Sequence, residues 1–331
     1  LNFIILDEQS QPGGNWRNYY DSLELFSPAA YSALPGMPFP GAPNHYPARD
    51  EVVRYLEQYA YLFQLPILHG VQVTRVDQED EGFQITAADG QRFWARAVVV
   101  ASGAFSRPYI PSILGLESFS GTRLHSADYR NAEAFSGQSI VVIGAANSAV
   151  QIAYDLAKVA TVTLATREAI RFVPQRILGA DFHTWLKWTG LEKTRWLNDQ
   201  STPVLDDGTY RKALKAGLFK QAAMFTQVTS KGVVWADGQH EAVNSIVFAT
   251  GFRPNLPFLE GLPVIDERGH VTQRDGRAVH VPGLYFVGLP KQRNFASATL
   301  RGVGPDAGYI MPDLLHRLRA SGEARAPVAQ N

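Results

Sequence analysis

Cysteine is absent from all 331 residues. That excludes a disulfide scaffold, a thiolate zinc site, a cysteine nucleophile and Cys-x-x-Cys exchange. If the chain does redox chemistry, its electrons must pass through a bound organic cofactor. An excess of either charge is missing too, because 31 basic residues balance 31 acidic ones. This leaves no footprint for nucleic acid or an anionic membrane. No run of about 18 apolar residues occurs, so no membrane span is expected. The opening LNFIILDE lacks the basic start and cleavage segment of a signal peptide, and a cytoplasmic location is expected. The eight histidines are scattered without i,i+4 spacing near acids, which gives no metal site. The length suffices for two domains.

What is present centres on Ser139 to Arg167. An apolar strand (Ile140 to Ile143) reaches Gly144, and a polar turn leads into a helix-period run of Val150, Ile152, Ala153, Leu156 and Ala157. A second strand, Val162 to Ala165, follows. Strand, tight turn, helix and strand in under 30 residues is the layout of a dinucleotide-binding βαβ unit. In it the helix N-terminus, with free N–H groups and the positive dipole end, faces a pyrophosphate. Gly144 holds the first glycine position, while Ala146 and Ala149 hold the next two. Ala149 is an allowed variant; Ala146 places a methyl where the backbone should approach phosphate. Asn147 and Ser148 read equally as caps or as pyrophosphate ligands. Arg167 ends the second strand, where an arginine accommodates a 2′-phosphate; the alternative is a solvated surface arginine. Thr166 adds a hydroxyl, and Glu168 keeps NADH use open beside NADPH.

Taken from its start, the chain opens with Leu1 to Leu6, read as a buried parallel strand ending in Asp7. An acid there partners a glycine turn about 20 residues earlier, so roughly 25–30 residues of a first βα unit are expected to be missing. Gly13-Gly14 permit close backbone approach, and Trp16 supplies a flat face. A Pro, Gly and aromatic-rich loop spans Tyr19 to Tyr46, and a helix follows from Arg49 with Val52, Val53, Leu56, Tyr59, Ala60 and Phe63 on one face. VQVTRV, GFQITA and RFWARAVVVASG read as a three-strand meander turning at Asp89-Gly90. Arg107-Pro108 and Pro111 mark a domain boundary. Phe172 to Ala223 reads as helical and irregular, with Trp185, Trp188 and Trp196 suiting packing, a lid or an association surface, so a homodimer is among the expected partners. A hairpin at Asp237-Gly238, strands Ser245 to Ala249 and Leu284 to Val287, a turn at Arg301 to Gly304 and a helix from about Asp306 complete the chain. The tail after Ala320 reads as disordered.

Four stretches together resemble the two-dinucleotide flavoproteins, specifically the class B flavoprotein monooxygenases. FSGTRLHSADY fits their FxGxxxHxxxY/F fingerprint with Phe119, Gly121, His125 and Tyr129. The acid Asp7 followed by PGGNW is similar to their FAD segment. Ala101-Ser102-Gly103 and Ala249-Thr250-Gly251-Phe252 resemble the paired motifs where the chain passes between FAD and NADP domains. GLYFVG (283–288) and RGVGPDA (301–307) resemble the C-terminal flavin segment. The resemblance implies an α/β fold of two Rossmann-like, doubly wound domains, with the NADP domain (107–249) inserted into an FAD domain (1–106 and 250–331). It implies FAD and NADPH as cofactors, contacted by Asp7, Gly13, Gly14, Trp16, Val73, Ala101, Gly103, Phe119, Gly121, His125, Gly144, Asn147, Ser148, Thr166, Arg167, Thr250, Gly251, Gly288 and Ser297. His125 is expected to tie the linker to the NADP domain rather than to donate protons.

The pattern is broken where the first glycine turn is missing, at Ala146, and at Ser27-Pro28, where relatives carry an asparagine near the flavin. Tyr129-Arg130 stand where Baeyer–Villiger enzymes have Trp-Pro, which favours heteroatom oxidation. The implied activity is NADPH-dependent oxygenation of a soft nucleophile, a sulfide or amine, through a C4a-hydroperoxyflavin, with a small molecule and O2 as partners. The alternatives are an NAD(P)H-dependent flavin oxidoreductase without oxygen transfer, and an inactive truncated binding module.

Overall fold

The computed structural model describes residues 1–103, 105–194, 203–267 and 269–323. The first strand, β1 (Ile5–Asp7), pairs in parallel with β2 (Ile67–His69), register Asp7 opposite His69. Leu1, Phe3 and Ile4 are exposed and precede the strand, so the expected buried strand from Leu1 is shorter and half-buried. Its other edge carries no partner among the described residues. Between the two strands lie the irregular loop and α1 (Arg49–Leu62), whose start is fixed by Glu51 accepting the Ala48 N–H at 2.8 Å. The buried face is Val52, Val53 and Tyr55, with Leu56 and Tyr59 partly buried; Phe63, expected on it, is exposed because the helix ends before it. Tyr55 is held inward by its hydroxyl, which donates to the Met37 carbonyl and accepts the Leu34 N–H, both at 2.7 Å.

The meander is β3 (Val73–Glu79), β4 (Gly82–Ala87) and β5 (Arg92–Ala95). RFWARAVVV is two strands, not one. The apolar run β6 (Val98–Val100) leaves for another sheet, because alternating Arg92 to Ala95 suits a half-exposed meander and three valines suit a parallel neighbour.

The chain then crosses through β7 (Arg107–Pro108) into a wholly parallel five-stranded sheet. Its strands are β8 (Thr122–His125), β9 (Ser139–Ile143), β10 (Thr161–Thr166), β11 (Lys220–Ala223) and β12 (Ser245–Phe248), in the order β11-β10-β9-β12-β8. Successive residues of β9 face opposite ways. Ile140 and Val142 pack on α2 (Asn147–Leu156) through Val150, Ile152, Ala153 and Leu156. Val141 and Ile143 pack on Phe225 and on Val228 and Val233, the last two from a small antiparallel sheet covering the other face. Burial on both faces is why these strands read as continuous apolar runs.

Among its described residues, the segment 172–223 is less helical than expected. It holds α3 (Phe182–Thr189) and α4 (Thr209–Lys215), but also short strands pairing 172–174 with 204–206 and 176–177 with 180–181. Trp196 lies outside the described residues, as do residues 324–331 of the tail.

The return crossing is β13 (Phe252–Arg253), antiparallel to β7. Next, β14 (Leu284–Phe286) pairs in parallel with β6. The last helix, α5 (Leu300–Glu323), starts six residues before the expected position and absorbs the stretch read as a turn. Its glycines answer close approach rather than bending. A Cβ on Gly302 would lie 1.9 Å from the Ala296 carbonyl oxygen, and one on Gly304 would lie 2.5 Å from Pro35. Among the described residues no helix is long and apolar enough to cross a membrane.

Candidate active site

All five strands of the central sheet run the same way, so their carboxyl ends share one edge and carry His125, Gly144, Thr166, Arg167 and Thr250 there together. From β9 the chain moves outward through β10 to β11, then returns to β12 on the opposite side. The β9–β12 gap is therefore the topological switch point, where open α/β sheets bind ligands. Gly144 sits in it with φ +143, and a Cβ there would lie 2.4 Å from the Ala249 carbonyl oxygen. Only glycine passes that gap unstrained.

Ala146 is the N-cap of α2, in ordinary extended conformation and exposed, so its position makes no conformational demand for glycine. No side chain caps this helix. Asn147 and Ser148 are therefore not caps. Asn147 Nδ2 donates to the Pro203 carbonyl and its Oδ1 accepts the Leu205 N–H (3.4 and 3.3 Å), and Ser148 lies near the Tyr20 hydroxyl, which donates to Gln151 Oε1 at 2.7 Å. The first N–H groups of α2 are left free of side-chain caps, as an anion site requires. Beside them Thr166 is buried and accepts from Gln221 Nε2 at 3.0 Å, while Arg167 stands exposed just past the strand end.

The fingerprint residues are spent inside the fold. Phe119 is core; a Cβ on Gly121 would lie 2.3 Å from the Asn244 carbonyl oxygen; the Tyr129 hydroxyl donates to Asp155 at 2.8 Å. His125 is buried, its Nδ1 accepting the Ala127 N–H at 3.1 Å and its Nε2–H donating to the Gly251 carbonyl at 3.0 Å. Burial lowers its pKa below the ordinary 6.5, against the raising effects of Gly251 and Asp128. The neutral ring thus fastens the end of β8 to the return crossing. The same Gly251 carbonyl accepts the Tyr109 N–H at 3.0 Å, and Thr250 donates its hydroxyl to the Tyr109 carbonyl. Gly103 and Gly251, one on each crossing, both have φ between +70 and +80 (72 and 79).

On the other side, the Val287 N–H donates to the Val100 carbonyl at 3.0 Å, which brings Gly288 beside Ala101. The start of α5 meets the loop at Pro35, and Leu300 packs in the cluster of Trp16, Ala29 and Tyr55. Gly13 begins a short 3-10 turn (Gly14–Asn18) that positions Trp16. Four other expected residues sit in their own local surroundings. The Ser27 hydroxyl is buried against Ser32 at 2.9 Å, because its loop folds back on itself. Ser297 accepts the Arg293 and Asn294 N–H groups (3.0 and 3.1 Å). Asp7 accepts the Gln9 N–H at 3.0 Å beside His69, and Val73 opens β3.

Polar atoms that are buried without a partner test whether a flavin fits. They include Ser106 Oγ, Gln292 Nε2, Asp306 Oδ2 and Arg301 Nε and Nη2. Burial raises the Asp306 pKa, opposed by the Arg293 guanidinium 3.1 Å away. Arg301 also pairs with Glu192. Unused donors cost free energy unless a ligand meets them, and they lie on the crossing and C-terminal segments that the resemblance assigns to flavin. The residues present fit such a group. Ser106, Arg301 and Asp306 were not singled out from sequence, although the last two lie within the RGVGPDA motif.

A mixed α/β chain with a parallel five-stranded sheet, a glycine turn at its switch point and paired crossings has the fold of the two-dinucleotide flavoproteins. A family model described as pyridine nucleotide-disulphide oxidoreductase matches residues 1–288, and the chain belongs to that family. It is 35% identical over 321 residues to an uncharacterized CzcO-like oxidoreductase of Geobacillus kaustophilus, covering 95% of this chain and 91% of the relative. A flavin-containing monooxygenase from Stenotrophomonas maltophilia superposes with TM-score 0.82 at 32% identity, covering 98% and 92% of the two chains. The indole-3-pyruvate monooxygenase YUCCA4 of Oryza sativa is 27% identical over 376 residues, 98% of this chain and 84% of the relative. The chain is a flavin-dependent oxidoreductase of the monooxygenase type, and FAD and NADPH as cofactors agree with these comparisons. The 331 residues contain no cysteine.

Proposed function

We propose that this chain is an NADPH-dependent FAD monooxygenase acting on a soft nucleophile, an amine or sulfide. One observation carries the reading: an uncapped helix start behind Gly144, beside an exposed Arg167 at the end of the neighbouring strand. The α2 N–H groups and dipole take the pyrophosphate, and Arg167 takes the 2′-phosphate by charge-assisted hydrogen bonds. His125 stays neutral and fastens the crossing, so the nucleotide-binding sheet keeps its place against the flavin side. Arg301 offers its two unused guanidinium donors there. FAD, when bound, supplies the oxygen chemistry with electrons from NADPH. The protein supplies orientation and exclusion of water.

The same reading places residues 107–249 as an inserted domain within a flavin domain of 1–106 and 250–331, in a cytoplasmic enzyme. Tyr129-Arg130, in place of the Trp-Pro of Baeyer–Villiger enzymes, support an amine or sulfide over a ketone. NADPH consumption, assayed in parallel for oxygenated product and for peroxide, tests the proposal. Oxygenated product in step with NADPH is expected. Stoichiometric peroxide, with no product across amines and sulfides, would leave electron transfer without oxygenation.

A further inference from the structure

A half-open cleft of about 520 Å³ lies between α5, the strand pair formed by Arg277 and β14, and the turn at Pro282-Gly283. Its lining shares no residue with the nucleotide and flavin contacts named above. The volume falls in the usual small-molecule range of roughly 300–1,000 Å³. Arg277 enters it from the strand, and His316 and Arg317 enter it from α5.

Asp313 is the one carboxylate among the described lining residues, and its charge is met by the fold. Its Oδ2 accepts the Tyr285 hydroxyl at 2.7 Å, and its Oδ1 stands 3.6 Å from Arg277 Nε. Tyr285 is 1% exposed; burial first, then Asp313, pushes its pKa up, so it stays a hydroxyl bonded to Asp313. A separation of 3.6 Å is an ion pair and not a hydrogen bond. Arg277 Nε is therefore buried with its N–H unmatched. The turn makes room for the second arginine. Gly283 has φ +94, and a Cβ there would lie 2.6 Å from Arg317 Nε, so only glycine lets that side chain lie against the turn.

From the cleft a line of contacts leads inward. Arg277 Cζ lies 5.0 Å from the centre of the Tyr309 ring, and Arg293 Cζ lies 4.0 Å from the same ring. Arg293 pairs with Asp306 at 3.1 Å, and the other Asp306 oxygen is one of the unmatched atoms of the flavin side.

We propose that this cleft is a second ligand site, for a small organic phosphomonoester, and that its occupancy is felt at Asp306 through Arg277, Tyr309 and Arg293. A carboxylate has two oxygens, enough for one guanidinium fork. A phosphomonoester offers three, which suit Arg277, Arg317 and the His316 ring together. Free phosphate would leave the apolar wall at Ala278 and Pro282 bare, whereas an ester lays its organic body there. Drawing Arg277 toward the anion loosens its hold on the Tyr309 ring and leaves that ring to Arg293. The ligand acts as an effector, and no bond is made or broken.

Calorimetric titration of the holoenzyme at about pH 7.5, where a phosphomonoester carries close to two charges, tests the site. Saturating NADP+ keeps the α2 start and Arg167 occupied. Phenyl phosphate is the probe, with phenol, benzoate and inorganic phosphate as controls. Phenyl phosphate is expected to bind at one site, phenol not at all, and the other two about tenfold more weakly. Arg277→Gln and Arg317→Gln should each weaken phenyl phosphate about tenfold, the value of one charge-assisted bond. Tm checks folding, and His316→Asp, at an exposed position, replaces either variant that does not fold. No binding of phenyl phosphate, or equal affinity in wild type and variants, overturns the site. Hydrogen exchange reads the coupling. The probe should slow exchange at 277–285 and 313–317 and change it at 293–306, and Tyr309→Leu should abolish only the change at 293–306. Binding with 293–306 unmoved, or a change there that survives Tyr309→Leu, overturns the link to Asp306.

Discussion

The central sheet and the start of α5 treat polar atoms in opposite ways. Around the sheet, the motif residues Phe119 to Tyr129 are consumed by the fold, and His125 has both ring nitrogens bonded. Around α5 and the crossing at Ser106, donors and acceptors are buried with nothing to meet. The first arrangement is scaffold, and damage to it is paid in stability. The second is a receptor, whose unmatched atoms cost about 1–3 kcal/mol each until a ligand supplies partners. Both lie in motifs of the same resemblance, so a motif alone does not tell a ligand contact from a structural one.

The contrast breaks first at Gly144. Gly144→Ala puts a methyl on the Ala249 carbonyl oxygen at a backbone angle that alanine resists. The expected loss is about 3 kcal/mol by urea unfolding, combining strain and overpacking. A loss below about 1 kcal/mol would mean that the switch point is looser than the sheet around it. FAD at a hundred times its Kd should add roughly 2.7 kcal/mol to stability. Hydrogen exchange should then slow at residues 293–306 by more than at 140–143. Equal slowing would erase the distinction between receptor and scaffold.

Much of the scaffold was legible. The α2 face, the β9–α2–β10 order and the glycine turn follow from apolar periodicity, which burial on both sheet faces enforces. The α5 start was misread because Gly302 and Gly304 look like turn residues in sequence, whereas the Ala296 carbonyl and Pro35 impose them from elsewhere in the chain. RFWARAVVV was read as one strand because nothing local says that Val98 pairs with Leu284, 186 residues on. At the site, Gly144 and Arg167 were visible. Arg301 and Asp306 were not singled out, since a buried atom without a partner is a property of three-dimensional packing alone.

Smaller effects sharpen the same contrast. Tyr129→Phe removes the hydroxyl bond to Asp155, whose carboxylate keeps Ser22 and Lys158. A loss of about 1.5 kcal/mol is expected, as for a bond to a charged group, with no change in FAD affinity. Arg167→Ala should do the reverse. Being exposed, it should shift stability by less than about 0.5 kcal/mol. Its kcat/KM for NADPH should fall about tenfold relative to NADH, the value of one charge-assisted bond. An unchanged NADPH to NADH ratio would return Arg167 to the solvated surface.

The least expected effect is a pH dependence at His125. Its folded pKa lies below the ordinary 6.5 because burial disfavours the imidazolium. The stability it contributes is therefore fully present above about pH 6.5 and is lost as pH falls through the folded value. Protonation of Nδ1 removes the acceptor for the Ala127 N–H, while the Nε2–H bond to Gly251 survives. Acidification should thus free the Ala127 amide before the Tyr109 amide, which bonds the Gly251 carbonyl directly. Amide exchange between pH 7.5 and 5, corrected for intrinsic rates, reads both. If Ala127 stays as protected as Tyr109 throughout, the neutral ring is not the fastening, and the crossing is held by its backbone pairing alone.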